Sequence, residues 1–162
     1  MARTKKEKIE IIEKVDNILN SAKSLSFVNF KGLTVAHANN MRREMKKDGV
    51  KFFVSKKSLA KIAFDKKKYE GTLPDLQGEF GFAYGEDLIA PSRLTYDAEK
   101  KYKGEIKVLG GVFEGRYMTR DEIVNIASIP PMNTLLGMFV NVINSPIQGL
   151  VIALDQIAKK QN

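Results

Sequence analysis

Hydrophobic and polar positions alternate along this chain with two different periods, and each period marks a different kind of element. Over residues 5–22, Ile9, Ile12, Val15, Ile18, Leu19 and Ala22 recur at helical spacing, while Lys5, Lys6, Lys8, Glu10, Glu13 and Lys14 fill the polar face. Thr4, with Glu7 three residues on, reads as the capping box of that helix. Residues 25–30 are apolar and aromatic, as in a strand. Gly32 marks a turn, Thr34 is expected to cap a second helix reaching about Asp48, and Gly49 supplies its stop. A second strand follows over 50–54, a short helix over 57–64, and a loop over 66–71. The pattern continues with a strand over 79–84, a helix over 88–102 with Pro91 in its first turn, and a strand over 106–112. A fifth strand over 113–118 turns through Glu114-Gly115, and Thr119 caps a helix over 120–128 that Pro130-Pro131 ends. Strands and helices without strict alternation imply an α+β fold, a small mixed or antiparallel sheet packed with helices in a ferredoxin-like arrangement.

From Pro130 to Ala158 the only charged residue is Asp155. Two helices are expected there, over 133–144 and 147–160, separated by Ser145-Pro146. In the second, Ile147, Leu150, Val151, Leu154, Ile157 and Ala158 form one apolar stripe, and Ile152 widens it. Such a helix is covered on most sides, either by its own core or by a partner's hydrophobic groove, and periodicity does not choose between them. The chain is thus expected to comprise a front domain, 1–130, and a helical tail, 131–162.

Composition narrows the chemistry. The 162 residues include no Cys, which rules out disulfides, thiolate metal sites and Cys nucleophiles. The amphipathic start is unlike a signal peptide, and no window holds about 18 uninterrupted apolar residues, so a cytoplasmic location away from membranes is the expectation. The net charge is +8, with a strong asymmetry: residues 1–68 hold 18 Lys+Arg against 7 Asp+Glu, and residues 69–162 hold 9 against 12. The front is therefore +11 and the rest −3, which points to a polyanion at one end, most simply nucleic acid. No phosphate loop, zinc-binding helix or dinucleotide fingerprint is present. His37 has no triad partners nearby in sequence and reads as a helix-surface residue, and Glu86-Asp87 suits a helix N-terminus. Neither catalysis nor a cofactor is expected.

Two groups of residues bear on a nucleic-acid role. Phe80-Gly81-Phe82 is similar to the base-stacking element of RNA-recognition modules, but Gly78, Glu79 and Gly85 stand where that element has its basic residue, glycine and last aromatic. Alternation places Phe80, Phe82 and Tyr84 on one face of a strand, the pattern of core packing. A stand-alone RNA-recognition module is the alternative this leaves. The basic group is more informative: Arg42, Arg43 and Lys46 on the second helix, Lys56 and Lys57 after the second strand, and Ser58 as a cap for the next helix. With Arg3, Lys5, Lys6 and Lys31 they make one candidate footprint for phosphates, assisted by exposed backbone N–H groups.

These residues assemble into a recognisable order. Phe30-Lys31-Gly32-Leu33-Thr34-Val35 is followed by Met41-Arg42-Arg43-Glu44-Met45, Gly49 and Val54-Ser55-Lys56-Lys57-Ser58-Leu59-Ala60. Leu76-Gln77-Gly78, Glu86-Asp87 and Ile129-Pro130 come downstream. The whole chain resembles the bacterial large-subunit ribosomal protein L-ten family, the stalk-base proteins, with Lys57 where the family usually has Asn. The resemblance implies a structural role: a front domain bound to large-subunit rRNA beside an L-eleven-type protein, and a tail carrying dimers of the acidic stalk protein (seven/twelve), which recruit translational GTPases. In that family the number of tail segments sets the number of dimers. Only 16 residues follow Pro146, with apolar clusters at 147–151 and 154–158, so two dimers are expected.

Overall fold

A computed structural model describes residues 5–67, 69–76 and 78–161. The chain divides into two units, one ending at Ile129 and the other beginning at Pro130. In the first, the order is α1 (Lys5–Ser21), β1 (Ser24–Asn29), α2 (Val35–Lys47), β2 (Lys51–Val54), α3 (Lys57–Lys67), β3 (Phe80–Gly85), α4 (Ala90–Lys101), β4 (Lys107–Phe113), β5 (Arg116–Thr119) and α5 (Arg120–Ala127). The second is a single helix, α6 (Met132–Gln161).

The strands form one sheet in the order β2-β3-β1-β4-β5, with every neighbouring pair antiparallel. The first four strands have the ferredoxin-like order, with α2 and α4 as crossovers. This chain departs from the plain pattern by placing α3 between β2 and β3, by adding β5 at the edge, and by preceding the unit with α1.

Both faces of the sheet are covered, and period-two alternation sorts the side chains between them. Leu25 and Phe27 of β1 and Phe80 and Phe82 of β3 point to the face where Val15 and Leu19 of α1 and Ala60, Ala63 and Phe64 of α3 pack. The Phe27 and Phe64 rings meet edge to face with centroids 5.1 Å apart. Val28 and Ala83 point to the other face, against Met41 and Met45 of α2 and Ala90 and Ala98 of α4. The small residues on that face let α4 lie close, and two pairs of buried polar groups join them: Ser26 and Thr95 are 2.8 Å apart, and Ser24 donates to the Asp87 carbonyl, while the buried Ser92 hydroxyl of α4 has no partner among the described residues. Gly111 is obligatory in the same sense, because a Cβ there would lie 2.3 Å from the Leu25 carbonyl oxygen.

The expected punctuation is largely visible. The Thr34 hydroxyl accepts from His37 N–H at the start of α2, and Gly49 follows its end with φ 72°. The β4–β5 hairpin turns on Glu114 (φ 50°) and Gly115 (φ 81°), the two left-handed residues that a tight two-residue turn requires. At α5 the Glu122 carboxylate accepts from the backbone N–H of Thr119 and from its hydroxyl, at 2.8 and 3.0 Å. Those bonds, the backbone one first, hold the Glu122 carboxyl below its usual range.

Several expectations need correcting. Pro146 does not separate two helices; it lies inside α6. A proline ring holds a helical φ and removes only its own N–H, so one bond is lost while the flanking turns keep theirs. Ser58 is not a cap, because the Lys56 carbonyl already accepts from Leu59 and Ala60 N–H, which puts Ser58 in the first turn. α3 runs on to Lys67, past the expected end, and its last lysines reach α1: Lys66 pairs with Asp16 at 3.5 Å and Lys67 donates to Asn20. α4 starts two residues late, since Asp87 accepts from Ile89 N–H in a turn ahead of the helix. The capping expectation at Thr4 falls outside the described residues.

Candidate nucleic-acid interface

The ends of β1 and β2 and the start of α3 come together around a cleft of about 800 Å³. Lys56, Lys57 and Ser58 line it, as do Phe30, Val54 and Glu79. The sequence pattern explains the meeting. Phe30 follows the last residue of β1, Val54 is the last of β2, and Glu79 stands just before β3, so pairing in the sheet brings all three to one end of the strands. Lys56 and Lys57 lead into α3, whose first N–H groups have no partner within the helix. Gly78, also in the lining, has φ 70°, and a Cβ there would lie 2.4 Å from the Asn29 side chain. Asn29 in turn accepts from Lys31 N–H at 3.1 Å, which fixes the bend carrying Lys31.

Lys8, on the polar face expected of the first helix, also lines this cleft. Its position carries a signal: Lys8 precedes Ile12 by four residues and Val15 by seven, so it continues the stripe α1 buries. Lys6 stands on nearly the opposite side of the helix. A second hollow of about 550 Å³ flanks α3 and is shared by Lys57 and Ser58, with Lys61 added.

The remaining candidates distribute unevenly. The Arg42 guanidinium lies 5.9 Å from the Phe52 ring centre, and Phe52 meets Phe30 edge to face at 6.1 Å, so ring contacts join Arg42 to the cleft wall. Arg43 and Lys46 are exposed on α2, which packs on the other sheet face, and the structure does not bring them to the cleft. Lys6 and Lys31 are exposed. Arg3 and the Lys5 side chain lie outside the described residues. Among the described residues, none of Lys8, Lys31, Arg42, Arg43, Lys46, Lys56 and Lys57 is held in an ion pair. The basic groups that are paired lie elsewhere, as with Arg93 on Asp48 and Arg120 on Glu99.

Phe80 and Phe82 are 2% and 0% exposed, packed among Phe27, Phe64 and each other. Rings with no free face cannot stack bases, so the RNA-recognition alternative is overturned. His37 is half-buried rather than free on a helix surface: its Nδ1 lies 2.9 Å from Glu105 and its ring packs on Tyr102. It ties helix α2 to the segment leading into β4.

In the second unit the predicted stripe is solvent-facing along its length. Ile147, Leu150, Val151, Leu154 and Ile157 are 55 to 64% exposed, and Ala158 is exposed as well. Leu136, Phe139, Val140 and Ile143 extend the apolar surface ahead of Pro146. By length and mean hydropathy (1.6 over its most apolar window) α6 is also sufficient to cross a membrane, which counting uninterrupted apolar residues did not anticipate. Asn141, Asn144, Gln148 and Asp155 interrupt it.

Comparison with known proteins decides the family. Residues 3–100 match the model of ribosomal protein L10. The large ribosomal subunit protein uL10 of Bacillus cereus strain ATCC 14579 is 30% identical over 162 residues, covering 99% of this chain and 97% of the relative. The chain belongs to the ribosomal protein L10 family. The same protein from Bacillus cereus strains B4264 and AH187 matches with equal identity and coverage. Membership makes this chain a component of the large ribosomal subunit, structural rather than enzymatic, located with the ribosome in the cytoplasm. The exposed apolar helix therefore belongs to a protein of a large assembly, where such surfaces meet partners.

Proposed function

We propose that the first unit of this L10-family protein binds large-subunit rRNA through the lysine-rimmed cleft, and that α6 carries acidic stalk-protein dimers. The observation that carries the first half is the gathering of unpaired Lys8, Lys56 and Lys57 at one end of the sheet, all within residues 1–68, which hold +11. Arg42 joins them through Phe52, and Arg3, Lys5, Lys6, Lys31, Arg43 and Lys46 add long-range attraction. The second half is supported by the continuous exposure of the Ile147–Ala158 stripe on a helix with almost no charge. Two dimers dock on the clusters at 147–151 and 154–158, present their GTPase-recruiting parts to the solvent, and so make α6 the root of the stalk. An L-eleven-type protein neighbours the first unit.

The division of labour is testable by two variants. Replacing Arg42, Arg43, Lys56 and Lys57 by Ala is expected to weaken binding to large-subunit rRNA and leave dimer binding intact. Removing the residues after Pro146 is expected to abolish dimer binding and leave rRNA affinity unchanged. Loss of both activities in either variant argues against it. Native mass spectrometry of the stalk complex reads the dimer number, and three dimers would refute the count of two.

A further inference from the structure

The geometry points to a narrower role for the cleft: it receives one unpaired base of an RNA loop, with the lysines on the flanking phosphates. This rests on the reading of the first unit as RNA-binding. A surface that only tracks a duplex backbone needs cations on an open face. This site is instead concave, with a volume in the ~300–1,000 Å³ range of sites that enclose a small molecule. Its wall includes two apolar groups that the core leaves uncovered, half-buried Phe30 and Val54, which is 43% exposed. The Phe30 ring meets Phe52 edge to face, and Phe52 in turn packs on the core and lies beneath the Arg42 guanidinium, so Phe30 has an aromatic support on one side. A supported aromatic ring beside cations is the arrangement on which unstacked bases settle.

Glu79 separates this reading from simple phosphate binding. A carboxylate in the lining repels phosphate, and its presence among Lys8, Lys56 and Lys57 weakens any purely electrostatic site. It is a hydrogen-bond acceptor only, and it matches the exocyclic amino group of adenine, cytosine or guanine. Ser58 offers a hydroxyl that serves as donor or acceptor on the same base. The occupant with an apolar face, an amino edge and anionic flanks is a nucleotide outside a helix.

Three proteins decide the matter: the full-length chain, Phe30→Leu and Glu79→Lys, each titrated with large-subunit rRNA and footprinted with dimethyl sulfate, which reports unpaired adenine and cytosine. Phe30→Leu is expected to weaken binding about tenfold to a hundredfold, the size of one base stack, with an unchanged salt dependence. A base protected in the wild-type complex should become reactive again in that variant. Glu79→Lys gives opposite signs for the two readings, because phosphate attraction alone predicts tighter binding and base reading predicts weaker. Glu79 is exposed, so this variant remains informative even if Phe30→Leu does not fold. Tighter binding by Glu79→Lys, or wild-type affinity in a folded Phe30→Leu, overturns the base site alone. Failure of the wild-type chain to bind rRNA overturns the RNA reading itself, and the base site with it.

Discussion

Tyr117 faces Tyr69 edge to face at 5.5 Å where β5 closes over the loop after α3. Burial, reinforced by Tyr69 and Asp65, pushes its hydroxyl up to about 12 from an ordinary 10. A raised folded value means that the contribution of this group is fully present below pH 10 and is lost as pH climbs towards 12. Denaturant titrations should therefore show stability falling in that window, and Tyr117→Phe should fall less. An equal fall in both proteins would place the alkaline sensitivity elsewhere. Phe80 and Phe82 make a second test at this scale. Replacing both with Leu leaves hydrophobic side chains of the wrong shape in a close-packed aromatic cluster, at a cost of about 1–3 kcal/mol of stability, while rRNA affinity at a temperature where the variant is folded should be unchanged. These two rings were legible in the sequence because strand alternation put them on one face. Lys8 was not, since a lysine is ordinarily assigned to solvent even when its spacing continues a buried stripe.

Elements were read well where one residue imposes a conformation on the backbone, and less well where the outcome depends on neighbours. Thr34, Gly49, Gly115 and Thr119 each do local work, and the structure has a cap or turn at each. Pro146 also acts locally, yet its effect depends on whether the turns on either side are stable enough to bridge a missing bond. In α6 they are, and the apolar surface consequently runs without a break. Val140, Ile143, Ile147, Leu150, Leu154 and Ile157 follow one another at alternating spacings of three and four, the seam of a helix that packs lengthwise against others. The proline nevertheless weakens the middle of the helix by about 3 kcal/mol relative to an ordinary residue. Pro146→Ala should slow amide hydrogen exchange over residues 143–150 and leave the first unit untouched. Unchanged exchange there would mean that the proline does not limit the helix.

On the scale of the molecule, the +11 front and the −3 remainder are an attribute of the chain that the fold converts into placement. Fold class followed from the number and order of elements. The site followed only in part, because which lysines share one end of the sheet depends on sheet pairings between residues far apart in sequence: β2 reaches β3 and β1 only across the hydrogen-bonded ladder. Placement, and not the count of charges, is what a salt titration can separate. Each phosphate contact contributes about 0.7–0.9 to the slope of log affinity against log salt, so replacing Lys8, Lys56 and Lys57 by Ala should flatten the slope by about 2–3. Lys66 and Lys67 provide the control, since they lie in the same basic half of the chain but are engaged by Asp16 and Asn20 of α1. Their double replacement by Ala removes two positive charges and should leave the slope close to that of the wild type. Equal flattening per charge in the two variants would mean that rRNA senses the net charge of the front as a whole, and the cleft would lose its claim to be where the phosphates sit.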